Sequence, residues 1–456
     1  MNNNNNNILE ELKNKNILIL GFARSGYKSA LILNKLGINV TVNAADDLSN
    51  NEDALYLESL GVSIISGGHP IDLIDNVDLI IKNPGIPYKI EFLKEAINRN
   101  IEIITEVELA SILYDYNILA ITGTNGKTTT TTMLYEILKL ENENVKLAGN
   151  IGYPAIEVAY DNRDNSSIVM EISSFQLNGV DKFRPHIATI TNLGVSHLDY
   201  HNNVEEYHNI KKRIFKNQTE EDYLILNIKD KELYLEDDIK SKVIYYSTFN
   251  NKEAQAYVED GILKYDGMNI FDVKKLSLPG EHNLENAITA SLMAILENAS
   301  VNSIQKVLYN FKGVKHRLQF LGTIDGIKYY NDSKATNPSS TLKALSGFDR
   351  NVILICGGQE RSIDLSELES GFNVVKELIS IGETKDTLYN LGLANDIPSH
   401  KCYNVEEATE LATKLANKGD VILLSPACAS WDQYKNFEVR GQEFIDTYNK
   451  IKKELI

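Results

Sequence analysis

A stretch at residues 118–133 reads ILAITGTNGKTTTTTM and has the residue types of a phosphate-binding loop. An apolar, β-branched segment leads into Gly123 and Gly126, and Lys127 and Thr128 follow at once. A strand, a glycine turn and a helix start point backbone N–H groups at an anion. The lysine would add a charge, and the hydroxyl suits Mg²⁺. Five residues before the second glycine this chain has isoleucine instead of the usual glycine, so the loop is shorter than the common form. A plain glycine turn with a solvated lysine is the alternative.

Further candidates for chemistry follow apolar runs elsewhere in the chain. Glu171 closes one such run, and a carboxylate at a strand end beside a phosphate loop is a natural Mg²⁺ ligand. The segment HLDYH at residues 197–201 is a compact polar cluster after another run, without the spacing of a zinc peptidase. Either group could instead be solvated surface.

The densest polar segment is YYNDSKATNPSS. Asp332, Ser333, Lys334, Thr336 and Asn337 fall within six consecutive positions after an apolar segment. A run of charges is usually a solvated face, but this one carries both signs and follows a predicted strand. We therefore treat it as a candidate site.

The elements that must position these residues alternate between strands and helices, which predicts an α/β fold. Four predicted strands end at chemically loaded loops, at Gly21, Thr122, Gly357 and Ser425. Ligands of open parallel sheets bind outside the carboxyl ends of the strands. We therefore expect the function at these four loops.

The first of these loops, GFARSG at residues 21–26, is similar to a dinucleotide fingerprint with Ala23 in place of the middle glycine. The second strand ends at Asn43 and Ala44, where a nicotinamide site would have an acidic residue. The pattern disfavours a nicotinamide cofactor. It leaves open the phosphate of another nucleotide or a plain strand-to-helix turn.

The length of 456 residues predicts about three domains. We place them at residues 1–113, 114–313 and 314–456: a Rossmann-like domain, a P-loop domain and an α/β domain. Net charge of −17 argues against broad binding to nucleic acid or anionic membranes.

The chain shows no apolar run near the ~20 residues of a membrane span. Its start, MNNNNNNILEEL, lacks the features of a secretory signal, and we expect the asparagine run to be a disordered tail. Three distant cysteines fit a reduced, cytoplasmic setting.

Together these segments resemble the Mur ligase family, over about residues 17–444. TGTNGKT is shared across the wider family, including folylpolyglutamate synthases. SSFQL, NDSKATNP and SPACASWDQYKNFEVRG resemble the member that adds D-glutamate. The resemblance implies three domains that hold a UDP-sugar, ATP and the amino acid. It implies that ATP phosphorylates the carboxylate of UDP-N-acetylmuramoyl-L-alanine, that D-glutamate attacks the acyl phosphate, and that the product serves peptidoglycan synthesis.

The resemblance also implies roles for individual residues. Lys211 matches a lysine that CO₂ converts into a carbamate able to orient Mg²⁺, of which two ions are expected. The catalytic set is Lys127, Glu171, His197, Lys211 and Lys334. The metal set is Thr128, Glu171, His197 and Lys211. The ATP set is Gly123, Thr124, Asn125, Gly126, Lys127, Thr128, Thr129, Asn283, Asn286, Arg317 and Asp332. The UDP-sugar set is Arg24, Ser25, Asn83 and Asn150, and the D-glutamate set is Thr336, Arg361, Ser430 and Phe437.

The chain departs from the family pattern in two places. The family can carry an acidic residue for uridine where this chain reads Asn43-Ala44-Ala45-Asp46, so no uracil contact is assigned. Arg361 stands where some members use lysine, and arginine can also hold a carboxylate. Only small-molecule partners and a monomer are expected. The alternatives are a sibling ligase with another amino acid or folate, and a P-loop ATPase that binds and switches.

Overall fold

The computed structural model describes residues 3–114, 116–162, 166–196, 200–360 and 364–454. By its internal contacts the chain divides into two compact units, residues 1–274 with 285–307, and residues 275–284 with 308–456. Strands and helices alternate through both units, and the predicted α/β class is confirmed. Within the described residues no helix is both long and apolar enough to cross a membrane.

The first sheet has the strand order β3-β2-β1-β4-β5, and all its pairs are parallel. The central strand β1 is buried at every position, as expected for a parallel strand covered on both faces. The strands are β1 (Ile17–Leu20), β2 (Val40–Asn43), β3 (Ser63–Ile65), β4 (Leu79–Lys82) and β5 (Glu102–Ile104). The helices are α1 (Asn3–Lys13), α2 (Arg24–Lys35), α3 (Glu52–Ser59), α4 (Glu91–Asn98) and α5 (Glu106–Leu113), with a 3-10 turn at Ile71–Asn76.

The expected disordered asparagine tail is wrong for the described part of the chain, because α1 begins at Asn3. The apolar residues that follow the run explain the difference. Leu12 is buried in the core, and Ile8 and Leu9 pack against it. This packing anchors the helix, which then continues backwards through the asparagines.

The second sheet has the order β14-β13-β12-β11-β10-β9-β6-β8-β7 and lies in the same unit as the first. Its pairs are parallel from β12 to β7, and the β12-β13-β14 edge is antiparallel. The strands are β6 (Ile118–Thr122), β7 (Lys146–Gly149), β8 (Ile168–Glu171), β9 (Ile187–Ile190), β10 (Tyr223–Asn227), β11 (Lys242–Ser247), β12 (Ala256–Glu259), β13 (Ile262–Tyr265) and β14 (Met268–Asp272). The helices are α6 (Lys127–Glu141), α7 (Ala155–Asp161), α8 (Ser174–Leu177), α9 (Val204–Lys212), α10 (Glu281–Leu296) and α11 (Val301–Leu308), with 3-10 turns at Arg213–Phe215, Ile228–Tyr234 and Val273–Lys275.

The third sheet, in the second unit, has the order β15-β16-β20-β17-β18-β19, antiparallel only at the β15-β16 pair. Its strands are β15 (Gln319–Ile324), β16 (Ile327–Asn331), β17 (Val352–Gly357), β18 (Val375–Ile381), β19 (Ser399–Lys401) and β20 (Val421–Leu424). The helices are α12 (Pro338–Leu345), α13 (Lys385–Ala394), α14 (Val405–Leu415) and α15 (Phe437–Glu454), with a 3-10 helix at Leu365–Val374.

The four chemically loaded strand ends lie within one residue of their predicted positions. The strands end at Leu20, Thr122, Gly357 and Leu424. Each belongs to a parallel part of its sheet, where the loops after the strands share one edge. The domain boundaries near residues 113 and 313 stay a prediction.

Candidate active site

The loop between β6 and α6 has the backbone form of a phosphate cradle. Gly123 and Gly126 have φ of 142° and 81°, which side chains rarely adopt. Space is equally restrictive, since a Cβ on Gly123 would lie 2.0 Å from Thr191 Oγ1. The loop opens directly into α6, whose first residues are Lys127, Thr128 and Thr129. The first N–H groups of that helix are the donors that bind anions.

The end of β9 fixes this loop from the side. Asn192 accepts from Asn125 N at 3.0 Å and donates to Asn125 O at 3.1 Å. Thr191 Oγ1 also donates to Asn125 O, at 2.5 Å, and Thr124 N donates to Asn192 O at 3.0 Å. Hydrogen bonds within the protein therefore hold the loop in position, and such preorganisation favours phosphate transfer.

Two lysines converge on one oxygen of the loop. Lys127 Nζ and Lys211 Nζ each lie 2.8 Å from Gly123 O. Lys127 also donates to Thr124 O at 3.0 Å. The predicted loop lysine and the predicted carbamate lysine, 84 positions apart in the chain, thus share one site.

The side chain of Lys211 is buried on α9 with 1% of its surface exposed. Its Nζ lies 4.5 Å from the centroid of the Tyr207 ring. Burial, and then the neighbouring charge of Lys127, lower the pKa of Lys211 to about 6. The adjacent Lys212 instead makes an ion pair with Asp237 at 2.7 Å, so the two lysines have different surroundings.

Glu171 lies at the end of β8, the strand next to β6, and its register partner is Ile121. The side chain is buried, with 1% exposed. Asn150 Nδ2 donates to Glu171 Oε1 at 2.7 Å. The other oxygen, Oε2, is buried and has no hydrogen-bond partner among the described residues.

An unpartnered carboxylate oxygen beside a phosphate loop is the donor that Mg²⁺ prefers. Thr128, 4% exposed at the start of α6, offers a hydroxyl at the same edge of the sheet. The described ranges contain no cluster of three or more His, Cys, Asp or Glu suited to a metal. The oxygens of Thr128 and Glu171 fit Mg²⁺, which commonly takes its remaining ligands from phosphate oxygens and water.

Helix α10 carries Asn283 and Asn286, both of which were predicted to bind ATP. Asn286 lies against the phosphate loop, where Thr130 Oγ1 donates to its Oδ1 at 3.2 Å. A Cβ on Gly126 would lie 2.3 Å from that same oxygen. Asn283 belongs to the second unit and donates to Pro279 O at 2.6 Å, just before the helix begins.

The loop after β1 brings the predicted UDP-sugar residues to the edge of the first sheet. Arg24 and Ser25 begin α2, and a Cβ on Gly21 would lie 2.8 Å from Asn83 Cβ. The guanidinium of Arg24 lies 5.1 Å from the centroid of the Tyr153 ring. The structure thus places the start of α2 beside the loop after β7, the loop that contains Asn150.

Asn43 contacts its own domain instead of facing solvent. Its Nδ2 donates to Ile65 O at 3.0 Å and to Gly68 O at 2.8 Å, and its Oδ1 lies 2.5 Å from His69 Nδ1. The side chain is fully buried. Asn43 therefore orders the loop after β3 through two donated hydrogen bonds, which an ionised carboxylate could not donate.

In the second unit Asp332 is buried behind the end of β16. Its Oδ1 accepts from Leu318 N at 3.0 Å and its Oδ2 from Ser425 Oγ at 2.9 Å. Burial raises the pKa of Asp332 to about 7, although both hydrogen bonds and Arg317 act the other way. His316 and Leu318, which flank Arg317, have φ of 63° and 41°. Such strained positions are commonly found at functional sites.

Arg440 on α15 was not among the predicted site residues. Only 1% of it is exposed, and its guanidinium donates to Ser333 Oγ at 3.1 Å, Ser333 O at 2.9 Å and Cys428 O at 3.1 Å. Burial lowers its pKa to about 10. Arg440 therefore joins the loops after β16 and β20. Its only sequence signal was its place in the FEVRG string.

The loops after β17 and β20, which carry Arg361 and Ser430 of the predicted D-glutamate set, contact each other. The strands pair directly, Ile355 with Leu424, and Gln359 N donates to Ala429 O at 2.9 Å. Ser430 follows immediately and is buried, with 2% exposed. Three other predicted residues lie in this unit: Thr336 before α12, Lys334 with its Nζ 5.6 Å from the centroid of the Phe437 ring, and Phe437 at the start of α15.

His197, Asp199 and Arg361 lie outside the described residues, so their predicted roles are untested by position. The remaining member of the HLDYH cluster, His201, is 2% exposed. Its Nε2 lies 3.0 Å from Ser174 Oγ, and its ring contacts Phe175 and Tyr200. His201 is therefore a packed core residue.

Comparison with known proteins shows which family this chain is similar to. A model described as the Mur ligase middle domain matches residues 121–294, and one described as the Mur ligase, glutamate ligase domain matches residues 316–428. Curated UDP-N-acetylmuramoylalanine--D-glutamate ligases of Staphylococcus aureus strains JH9 and Newman are 46% identical over 437 residues, covering 96% of this chain and 97% of theirs.

Solved structures share the fold at lower identity. UDP-N-acetylmuramate-alanine ligase MurC from Thermotoga maritima has a TM-score of 0.58 and 18% identity, covering 96% of this chain and 100% of its own. MurF ligase from the same organism, in complex with ADP, has a TM-score of 0.57 and 16% identity, covering 91% and 95%. The identity with the curated relatives extends through all three sheets. The resemblance seen in the sequence is thereby confirmed, and the chain belongs to the Mur ligase family.

Proposed function

We propose that this protein is an ATP-dependent ligase that joins D-glutamate to UDP-N-acetylmuramoyl-L-alanine during synthesis of peptidoglycan precursors. The observation that carries the proposal is the 46% identity to relatives of that name over 96% of the chain. The phosphate cradle, with a buried carboxylate on the neighbouring strand, supports it chemically. The reaction forms an acyl phosphate on the substrate carboxylate, and the amine of D-glutamate then displaces phosphate.

The cradle would bind the β- and γ-phosphates of ATP. Lys127 and the first amides of α6 would stabilise negative charge on the phosphoryl group as it moves. Thr128 and Glu171 would hold Mg²⁺, which when bound offsets the charge of the phosphates. His197 is proposed for a second ion or for the substrate. Thr124, Asn125 and Thr129 complete the cradle, and Asn286 supports it at Gly126.

We also propose that Lys211 becomes a carbamate. The ammonium group first loses one proton, and the neutral amine nitrogen then bonds to the carbon of CO₂ and releases a second proton. The loss of two protons turns a cation into an anion. The position of Lys211, buried beside Lys127, supports this assignment. The unmodified side chains of Lys127 and Lys211 share one carbonyl oxygen. The carbamate would place a negative charge beside the positive charge of Lys127.

The remaining roles follow the layout of the strand ends. The loops after β1, β4 and β7 would hold the UDP-sugar through Arg24, Ser25, Asn83 and Asn150. Asn283, Arg317 and Asp332 are proposed for ATP, and Lys334 for the reacting groups. Thr336, Arg361, Ser430 and Phe437 are proposed around D-glutamate. Only small-molecule partners, a cytoplasmic location and a monomeric state are proposed.

The test is phosphate release that depends on both co-substrates. The purified protein is supplied with ATP, Mg²⁺ and UDP-N-acetylmuramoyl-L-alanine, and with D-glutamate, L-glutamate, L-alanine or L-lysine in turn. We expect phosphate release only with D-glutamate, together with a product larger by one glutamyl residue in mass spectrometry. Release with another amino acid would indicate a sibling ligase, and release without any amino acid a simple ATPase.

A further inference from the structure

Lys82 is a buried lysine for which neither the sequence motifs nor the proposed reaction has a use. It is the last residue of β4, and 1% of it is exposed. β4 lies next to β1, so Lys82 stands at the edge of the sheet where the loop of residues 21–26 begins. A lysine in such a place is rare unless its ammonium group has partners.

Those partners are the backbone carbonyls of the turn that follows, residues 83–86. Lys82 Nζ donates to Ile86 O at 2.8 Å and to Asn83 O and Pro84 O, both at 3.1 Å. An ammonium group has three N–H donors, and the turn supplies three inward carbonyls. Lys82 therefore gathers the three carbonyls of the turn around one ammonium group.

This turn also carries Asn83, which is proposed to contact the UDP-sugar. Asn83 Oδ1 accepts from Gly85 N at 3.2 Å, and Asn83 N donates to Leu20 O at 2.8 Å. Asn83 Cβ is close enough to Gly21 to exclude any side chain there. The turn and the loop after β1 thus form one surface, and Lys82 supports it from beneath.

Tyr200 connects the turn to the second sheet of the same unit. Its hydroxyl lies 3.3 Å from Lys82 Nζ and donates to Pro84 O at 3.2 Å or Ile86 O at 3.3 Å. Aromatic contacts lead onward from Tyr200 to His201 and Tyr207, with centroids 5.0 and 5.1 Å apart. Tyr207 in turn contacts Lys211, so the rings of Tyr200, His201 and Tyr207 lie between Lys82 and the phosphate loop and separate the two.

Burial of the ammonium group of Lys82 is unfavourable, and an apolar side chain at this position would avoid that desolvation. The described partners of Lys82 are carbonyl and phenol oxygens, with the Tyr88 ring centroid 4.8 Å from its Nζ. Burial lowers the pKa of Lys82 to about 7. Methionine would fill the same space without that cost but could not gather three carbonyls. The ammonium group thus contributes hydrogen bonds that hold three carbonyl oxygens of the turn together.

We propose that Lys82 is a positioning residue of the UDP-sugar site, acting through the turn of residues 83–86 and through Tyr200. The proposal rests on the proposed function, since it assumes that the UDP-sugar binds at this edge. Lys82 acts on the substrate only through the turn. Its loss should therefore weaken UDP-sugar binding while ATP binding stays unchanged.

The test compares Lys82→Met and Tyr200→Phe with the wild type by titration calorimetry with UDP-N-acetylmuramoyl-L-alanine in the absence of ATP. KM for ATP is measured alongside. Lys82→Met removes all three donors at similar volume, so we expect Kd for the UDP-sugar to rise ~10-fold or more. Tyr200→Phe removes one hydroxyl and should raise Kd less, in the same direction. Lys94→Met, on the exposed face of α4, is the control for loss of a lysine and should match the wild type.

Each outcome has a distinct meaning. A wild type that does not bind the UDP-sugar would contradict the proposed function itself. A wild type that binds, with Lys82→Met binding equally well, would overturn only the role of Lys82. Equal losses of UDP-sugar and ATP affinity would indicate general damage and also overturn it. Should Lys82→Met fail to fold, Tyr200→Phe decides, and an unchanged Kd in that variant would contradict the proposal.

Discussion

Lys127 and Lys211 donate hydrogen bonds to the same carbonyl oxygen, that of Gly123, at 2.8 Å each. Burial, and after it the neighbouring charge of Lys127, lower the pKa of Lys211 to about 6. A negative charge on Lys211 would instead attract the ammonium group of Lys127. This relationship is the structural reason to test carbamylation.

Lys211→Ala should be nearly inactive, and short carboxylic acids such as formate or acetate should restore part of the rate. The acid would place an anion in the space that the carbamate leaves. The wild type should also lose activity when CO₂ is removed from the assay. Lys212→Ala is the matched control, because Lys212 pairs with Asp237 instead of facing the loop. No rescue in the variant, together with no dependence of the wild type on CO₂, would remove the carbamate from the mechanism.

Lys127→Ala should lose ~10²-fold or more in kcat, as is typical when one preorganised donor to developing charge is removed. Its hydrogen bonds in this structure include those to Gly123 O and Thr124 O of its own loop. Lys139→Ala, on the same helix but exposed, should keep wild-type kcat. A Lys127 variant that retained most of its activity would contradict the assignment of the phosphate loop.

Thr128→Val should raise the Mg²⁺ concentration needed for half-maximal activity, because it removes one oxygen ligand with little change in shape. Thr132→Val is a close control: Thr132 is on the same helix and donates to Thr128 O at 2.7 Å. Activity is titrated against Mg²⁺ at saturating substrates. Identical titration curves for Thr128→Val and the wild type would count against Thr128 as a ligand.

The places of the loop at residues 123–126 and of Glu171 at two strand ends could be predicted from the sequence because each depends on local pattern. Apolar runs ended by glycine or a carboxylate predicted strands and their loops, and neighbouring strands in a parallel sheet brought them to one edge. Nothing comparable marked Arg440. Its partners Ser333 and Gly357 are 107 and 83 positions away, so the residue looked like part of an ordinary helix.

Two other cases show why local pattern is insufficient. Asn43 was at a position where a ligand contact was conceivable, but its amide is used by Ile65, Gly68 and His69. The adjacent lysines 211 and 212 cannot be told apart by composition, and only tertiary packing buries the first. The sequence pattern predicts which loops lie at the ligand-binding edge of a sheet. Tertiary packing determines which side chains in those loops are buried.

Arg361→Ala should raise KM for D-glutamate ~10-fold or more, since a charge-assisted hydrogen bond contributes ~1.5–3 kcal/mol. Arg361 itself is outside the described residues, but Gln359 bonds to Ala429 beside Ser430. KM for ATP should hardly change. Arg361→Lys should be milder because it keeps the positive charge, but it should not be neutral because the fork geometry is lost. Arg350→Ala, exposed before β17, is the control. A higher KM for ATP with an unchanged KM for D-glutamate would place the amino-acid site elsewhere.

Because the carboxyl group of Glu106 is buried, we expect the stability of the protein to depend on pH, independently of catalysis. It begins α5, is 2% exposed, and accepts from Ile156 N at 3.1 Å and Gln176 Nε2 at 3.4 Å. Burial raises its pKa from 4.5 to about 7, against those hydrogen bonds. Between these two values the folded state holds a proton that the unfolded chain releases, so this group lowers the free energy of unfolding as pH rises, by up to ~3 kcal/mol.

Glu106→Gln removes the titration and keeps a side chain of nearly the same shape. The free energy of unfolding, measured by urea denaturation from pH 5 to pH 8, should therefore fall less steeply in Glu106→Gln than in the wild type. A lost hydrogen bond would shift the whole curve of the variant without changing its slope, so the slope is the quantity that decides. Glu91→Gln, an exposed position on α4, should follow the wild-type slope. Parallel curves for Glu106→Gln and the wild type would show that the carboxyl of Glu106 does not gain a proton on folding.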